Sequence, residues 1–169
     1  LFVDDAHGFG VIRGNDKKFP SSINELNLNK IKIDAYVGTF GKAVGTFGAF
    51  VSSSKELVDI LVQRSKPYIY STAVPPAIVQ TTLDSINMIM DDKKIIENLY
   101  HNITYFKKLV REFKININYS DTPIQTITIG NPKDVMKIYK KAKESNILIQ
   151  GIRYPTVPKN HDLIRINLT

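Results

Sequence analysis

Cysteine is absent from all 169 residues. Its absence excludes disulfides, thiol catalysis and cysteine-ligated metal, and it points to a reducing compartment, the cytoplasm. No apolar run reaches the length of a membrane-spanning helix. There are only three histidines, His7, His101 and His161, and they stand in unrelated contexts, so no metal site is expected. Neither a glycine–aromatic RNA-binding signature nor a zinc spacing occurs. An initiator methionine and a signal peptide are also missing, and Leu1-Phe2-Val3-Asp4 opens inside what reads as a buried strand. The expectation is a piece of a longer polypeptide that lacks its front.

Hydrophobic residues make up 43% of the chain, enough for a packed core. The net charge is 23 − 16 = +7, which raises the question of a polyanionic partner. The cations are scattered, however. Lys107, Lys108, Arg111 and Lys114 read as the wet face of one helix, and Lys137, Lys140, Lys141 and Lys143 as that of another. Nucleic acid is therefore not the expected partner, whereas an anionic cofactor or acyl carrier would benefit from the field.

Leu1 to Val3 followed by Asp4 has the pattern of a parallel strand that delivers a polar group at its carboxyl end. Gly8 and Gly10 read as turn residues. Residues 13–30, broken by Gly14 and Pro20, read as a long loop with one short helix. Strands are expected over 34–39 and 47–51, and 68–72 is strand-like. Ser54 caps a helix over 55–65, with Glu56 in its first turn. Pro75-Pro76 opens a long helix whose apolar stripe is Val79, Leu83, Ile86 and Met90. A second helix follows Asp91-Asp92, with Ile96, Leu99, Ile103, Phe106, Val110 and Phe113 on its buried side.

From about Asn116 the pattern changes. Residues 123–129 alternate like a half-buried strand. Asn131-Pro132 starts a helix that buries Val135, Ile138 and Ala142. Residues 147–149 and 163–168 read as further strands. The chain thus divides near 92–96 into an α/β part and a smaller α+β domain with an antiparallel sheet. No internal repeat is visible.

The segment that carries chemistry is Thr39-Phe40-Gly41-Lys42-Ala43-Val44-Gly45, with Asp4-Asp5-Ala6-His7-Gly8 upstream of it. A lysine among small residues, paired with an acid and an imidazole on another segment, is what pyridoxal phosphate (PLP) chemistry needs. The amine forms a Schiff base with the cofactor aldehyde, and a carboxylate keeps the pyridine nitrogen protonated so that the ring acts as an electron sink. Glycines beside the lysine let the backbone approach the ring and phosphate. Taken singly, each residue has a plainer role. A lysine in a glycine-containing loop is usually a solvated charge, and Asp-Asp-Ala-His also suits a strand end entering a polar turn. Asp5 reads as the member of the acidic pair that ties down that turn. Phe9, Phe40 and Tyr70 read as core or wall residues.

VDDAHGFG, VGTFGKAVG, YSTAVPPA, GIRYPTVP and LIRINLT occur here in the order found in the α-oxoamine synthases, and the whole chain resembles that family of fold-type I PLP enzymes. The resemblance implies an α/β fold: part of a large domain with a mainly parallel sheet and flanking helices over 1–94, and a smaller C-terminal α+β domain over 95–169. It implies that Lys42 carries the cofactor and shuttles the Cα proton, that Asp4 pairs with the pyridinium nitrogen, and that His7 reaches the ring 3-hydroxyl. Thr39 would bind the cofactor phosphate, and Ser71 or Thr72 the phosphate of the neighbouring subunit in a homodimer. Thr156 would contact substrate, and Arg165 would bind the amino-acid carboxylate, with Arg153 as a second cation. The branch most similar, through IRYPTVP, condenses L-alanine with a pimeloyl thioester of CoA or acyl carrier protein in biotin synthesis. A sister branch uses glycine and acetyl-CoA. Phe47 is bulkier than the family's usual residue at its place. The family's glycine-rich phosphate turn and ring-stacking residue would lie in the missing front.

Overall fold

Two sheets, one in each half of the chain, organise the computed structural model, which describes residues 1–13, 19–26 and 31–169. The contacts divide it into two units, Leu1–Ile96 and Glu97–Thr169. Gly14 and the remainder of 14–18 and 27–30, read above as loop, lie outside the described residues.

In the first unit, β1 (Phe2–Asp4) pairs parallel with β2 (Ala35–Thr39), and β2 pairs antiparallel with β3 (Ala49–Ser53). The register sets Asp4 beside Val37 and Gly38 opposite Phe50. A Cβ on Gly38 would lie 2.5 Å from the Phe50 ring, so the missing side chain is what lets that ring lie flat on the sheet. Phe50 then gathers Phe9, Tyr36 and Phe40 at centroid distances of 5.0, 5.7 and 5.5 Å, and Phe9 stands 4.4 Å from Phe19. Such pairs stabilise by about 1 kcal/mol each beyond area burial. Among the described residues β1 has a neighbour on one side only, and Phe2 is 65% exposed, so this strand is not the buried one its composition suggests.

Four helices among the described residues complete this unit. α1 (Ser22–Glu25) is one turn capped by Ser21. α2 (Lys55–Arg64) starts where expected, with the Ser54 hydroxyl accepting from the Leu57 N–H. The Glu56 backbone N–H, and secondarily the Ser54 hydroxyl, hold the Glu56 carboxyl below its ordinary range. The strand-like reading of 68–72 is wrong. Pro67 sits in the first turn of α3 (Lys66–Ile69), where its fixed φ favours helix, and the Tyr68, Ile69 and Tyr70 N–H groups turn back onto Ser65 and Lys66 carbonyls. Tyr70 is exposed rather than core. α4 (Pro76–Asp91) begins at the proline pair, yet the face it buries holds Thr82 and Ile89, while Val79, Leu83 and Met90 of the apolar stripe are about half exposed. The covered face is the one whose hydroxyls find polar partners in the loop after β2, as described below.

The second unit contains most of α5 (Lys93–Glu112) and an antiparallel sheet in the order β4 (Ile124–Thr128), β6 (Leu163–Asn167), β5 (Gln150–Ile152). Ile96, Ile103 and Val110 of α5 are buried as the spacing requires, whereas Phe113, just past the helix end, is exposed. Lys107 leaves the expected wet face. Its amine is paired with Asp121 and sits 4.8 Å over the Tyr119 ring. α6 (Pro132–Glu144) is capped by the Asn131 side chain and packs on β5 and β6. Val135 is fully buried against Gly151, where a Cβ would come within 2.7 Å of its methyl group. Ile138, expected inside, lies at the rim and is exposed. Residues 147–149 do not form the expected strand. Leu148 is 91% exposed, and pairing begins only at Gln150, opposite Arg165. No helix among the described residues is long and apolar enough to cross a membrane.

Candidate active site

Parallel pairing brings the carboxyl ends of β1 and β2 to the same sheet edge, the place where open α/β sheets bind ligands. Asp4 ends β1, and its Oδ1 accepts the Ala6 N–H at 3.0 Å. This bond holds an exposed carboxylate at the strand exit. Thr39 ends β2. Its hydroxyl donates to the Ala6 carbonyl at 3.4 Å and accepts from Lys42 Nζ at 3.4 Å. One threonine hydroxyl therefore links the acid-bearing turn to the lysine.

Lys42 stands on a closed loop. Phe40 N–H donates to Gly48 O at 2.9 Å, Thr46 N–H to Phe40 O at 2.8 Å, and Gly45 N–H to Lys42 O at 3.0 Å. The loop reverses through Gly45, whose φ of +72° is left-handed backbone. Beside it opens a cleft of about 860 Å³ lined by Thr39, Lys42, Phe47, Gly48, Ser65 and Tyr68, among others. That volume lies within the range of ordinary small-molecule sites. Gly41 and Gly48 leave part of its wall without side chains. An amine, a hydroxyl and bare glycine backbone on a cleft, with a carboxylate at the neighbouring strand exit, form a donor set that suits an aldehyde-bearing aromatic phosphate.

Asp5 plays a different part from Asp4. It is 3% exposed and accepts from the Ser22 N–H at 3.1 Å, from the Ser22 hydroxyl and from the Tyr36 hydroxyl at 2.7 Å. Its carbonyl accepts the Gly8 and Phe9 N–H groups, which closes the turn that carries His7. Asp5 thus fastens the turn on which Asp4 and His7 stand. Burial, and secondarily the adjacent Asp5 carboxylate, push the Tyr36 phenol well above the ordinary tyrosine value. A raised folded-state value for an acid that is neutral at low pH means that its contribution to stability is complete below about pH 10 and is lost as pH rises past that point. One of the eight tyrosines is therefore expected to ionise late in an ultraviolet pH titration. Tyr36→Phe should flatten the fall in stability above pH 10, and an unchanged alkaline limb in that variant would refute the assignment.

The remaining expected residues fall in several places. His7 is exposed on the Asp5-closed turn. Ser71 and Thr72 are exposed in the irregular segment between α3 and α4. In the second unit, Arg165 lies on β6 between Thr126 and Gln150, and its Nε donates to Asn167 Oδ1 at 2.9 Å. Arg153 and Thr156 share a turn through a 2.9 Å bond from Thr156 N–H to Arg153 O, and Asp162, nearly fully buried, steadies it by accepting the Tyr154 N–H. Arg153 lines a shallow depression of about 350 Å³ with Lys133, Met136, Lys137 and Lys140, and Arg165 is not part of it. The structure thus joins Thr39 and Lys42 to the segment carrying Asp4 and His7, and it groups Arg153 with Thr156. Sequence reasoning missed the cleft-wall residues Ser65, Pro67 and Tyr68, because 68–72 reads as a strand. The signal was there: a serine two places before a proline opens a helical turn. No cluster of three or more His, Asp or Glu side chains forms a metal site among the described residues.

The model of the class I and II aminotransferases matches residues 1–169. The chain belongs to that family. The 8-amino-7-oxononanoate synthase of Thermoanaerobacter pseudethanolicus is 34% identical over 168 residues, covering 99% of this chain and 42% of that protein. The crystal structure of 8-amino-7-oxononanoate synthase from Francisella tularensis superposes with a TM-score of 0.81 at 29% identity, over 99% of this chain and 48% of that one. A high-resolution structure of SPT with PLP gives a TM-score of 0.85 at 24% identity, over 99% of this chain and 42% of that one. The latter likeness speaks for the fold alone. The chain spans less than half the length of these relatives. Its architecture is the fold-type I α/β arrangement of this aminotransferase family, with one parallel and one antiparallel pairing in the first sheet.

Proposed function

We propose that the whole protein is a PLP-dependent acyltransferase that condenses L-alanine with a pimeloyl thioester, of CoA or acyl carrier protein. The products are 8-amino-7-oxononanoate, carbon dioxide and the free carrier, in biotin synthesis. One observation carries this reading: the Lys42 amine rests on the Thr39 hydroxyl at a glycine-walled cleft, at the edge where Asp4 leaves the adjacent parallel strand. The relatives' shared name supports the particular reaction.

Residues 1–94 then supply the carboxyl-terminal part of the cofactor domain and 95–169 the small domain. PLP, when bound, supplies an electron sink for charge developing at the amino-acid Cα. Lys42 holds the cofactor and moves the proton at that carbon. Asp4 keeps the ring nitrogen protonated, and His7 meets the ring hydroxyl. Thr39 binds phosphate, joined by Ser71 or Thr72 from the other subunit of a homodimer. Arg165 takes the alanine carboxylate, with Arg153 and Thr156 contacting substrate. A cytoplasmic location agrees with the cysteine-free composition.

The test is a paired assay of the whole protein. Alanine with pimeloyl-CoA or pimeloyl-carrier protein should turn over at least ~100-fold faster in kcat/KM than glycine with acetyl-CoA. The reverse preference would assign the chain to the glycine-using branch.

A further inference from the structure

α4 packs against the loops that follow β1 and β2. Its two inward hydroxyls attach to the lysine-bearing loop on the carboxyl side of Lys42. Ser85 Oγ donates to the Val44 carbonyl at 2.6 Å. Thr82 Oγ1 lies 2.8 Å from Thr46 Oγ1 and 2.7 Å from the Ile78 carbonyl. A hydroxyl has one proton to donate, and a carbonyl can only accept. Thr82 therefore gives its proton to Ile78, and the Thr46 hydroxyl donates to Thr82. The bonds are sheltered, since Val44 is 3% exposed and Thr82 is buried. On the other side of the loop, a Cβ on Gly10 would lie 3.1 Å from the Ala43 methyl. The loop is thus held from the turn after β1 at Ala43 and from α4 at Val44 and Thr46, while β2 fixes its entry at Thr39.

We propose that Thr82 and Ser85 are positioning residues that hold the loop bearing Lys42 in the register its chemistry needs. This rests on the reading of Lys42 as the cofactor-bearing lysine. A helix backbone is a rigid support, and two bonds to residues 44 and 46 leave the limb beyond Lys42 little freedom to rock. Alanine or valine at these positions would suit a merely apolar helix face equally well. The hydroxyls add direction, and both point to the same loop. Misplacement of a reacting group by about 1 Å is enough to cost ~100-fold in rate.

The experiment uses the whole holoenzyme with Ser85→Ala, Thr82→Val and both together. Rescue variants are Ser85→Thr and Thr82→Ser, and Ser85→Cys supplies a near-isosteric weak donor. In the double variant, kcat for the condensation is expected to fall ~10-fold or more, with KM for alanine changing less than ~2-fold. Without substrate, the midpoint of the pH titration of cofactor absorbance should move by ~0.5 unit or more. Ser85→Thr and Thr82→Ser should restore both readouts, and Ser85→Cys should lie between. A lower thermal midpoint with unchanged absorbance titration and kcat would make the hydroxyls structural only and overturn the proposal. So would losses that the conservative variants fail to rescue, or a Ser85→Cys enzyme indistinguishable from wild type if the double variant does not fold. Borohydride reduction and peptide mapping of the wild type separate the two levels. Label on a lysine other than Lys42 would remove the underlying reading, whereas label on Lys42 with unperturbed variants removes only the role of α4.

Discussion

Lys42→Ala in the whole protein is expected to abolish turnover, with kcat lower by ~10³-fold or more, and to eliminate the near-visible absorbance of lysine-bound cofactor. The substitution removes the amine that Thr39 holds at the cleft while leaving the loop's own bonds intact, because those run through the backbone of Phe40, Lys42, Gly45, Thr46 and Gly48. Folding stability should therefore change by less than about 1 kcal/mol, as for an exposed side chain with one weak partner. Lys42→Arg sharpens the test. Arginine keeps the positive charge but stays protonated at every working pH and offers no nucleophilic amine. If charge alone mattered, Lys42→Arg would retain activity. If the amine matters, it should be as inactive as Lys42→Ala. A Lys42→Ala protein with the wild-type spectrum would remove this residue from the proposed chemistry.

The second large effect concerns stability. Gly8→Ala should destabilise the protein by about 3 kcal/mol, combining overpacking with disruption of a buried, hydrogen-bonded carboxylate. A Cβ at Gly8 would fall inside the contact radii of Asp5 Oδ1 and Ser22 Oγ and 3.0 Å from Asp5 Cγ. Neither obstacle can swing away cheaply. Asp5 is 3% exposed and its carboxylate also receives the Ser22 N–H and the Tyr36 hydroxyl. Gly45→Ala is the informative contrast. No described residue stands within 4 Å of its Cβ, but its φ is +72°, so only the left-handed backbone penalty of about 1 kcal/mol applies. Urea midpoints of the two variants should therefore differ clearly, Gly8→Ala being the lower. Equal midpoints would mean that the Asp5–Ser22 contact yields without cost. Because the turn from Asp5 to Phe9 also carries His7, Gly8→Ala should weaken cofactor retention as well.

Local chemistry made a good part of this architecture legible. Ser54 before an acidic first turn and Asn131 before Pro132 are complete helix-start signals within a few residues, and both helices begin there. The alternation over 123–129 and the strand read over 163–168 contain β4 and β6. The lysine and acid segments are also written in consecutive positions, and the β1–β2 pairing brings them to one sheet edge. Two expected strands fail because composition alone does not make a strand. Residues 68–72 and 147–149 have strand-like composition, but Pro67 bends the first into a helical turn and the second lies outside the sheet's pairing, which starts at Gln150.

What the sequence by itself determined is a set of local commitments: where α2, α4 and α6 start, where Thr39 and Lys42 follow a strand, and which acids precede His7. What only the tertiary structure decided is which faces and partners those elements meet. On α4, the rows 79, 83, 86, 90 and 78, 82, 85, 89 are offset by one residue, about 100° around the helix. The more apolar row is the obvious choice for the core, yet the buried positions are Thr82 and Ile89, since Val44 and Thr46 supply polar partners on that side. Asp4 and Asp5 are identical in kind. The first stays at the open strand exit, and the second is buried under Ser22 and Tyr36, 17 and 31 residues away. Periodicity reports what a side chain is, but burial depends on what distant chain arrives opposite it, and only the folded molecule contains that information.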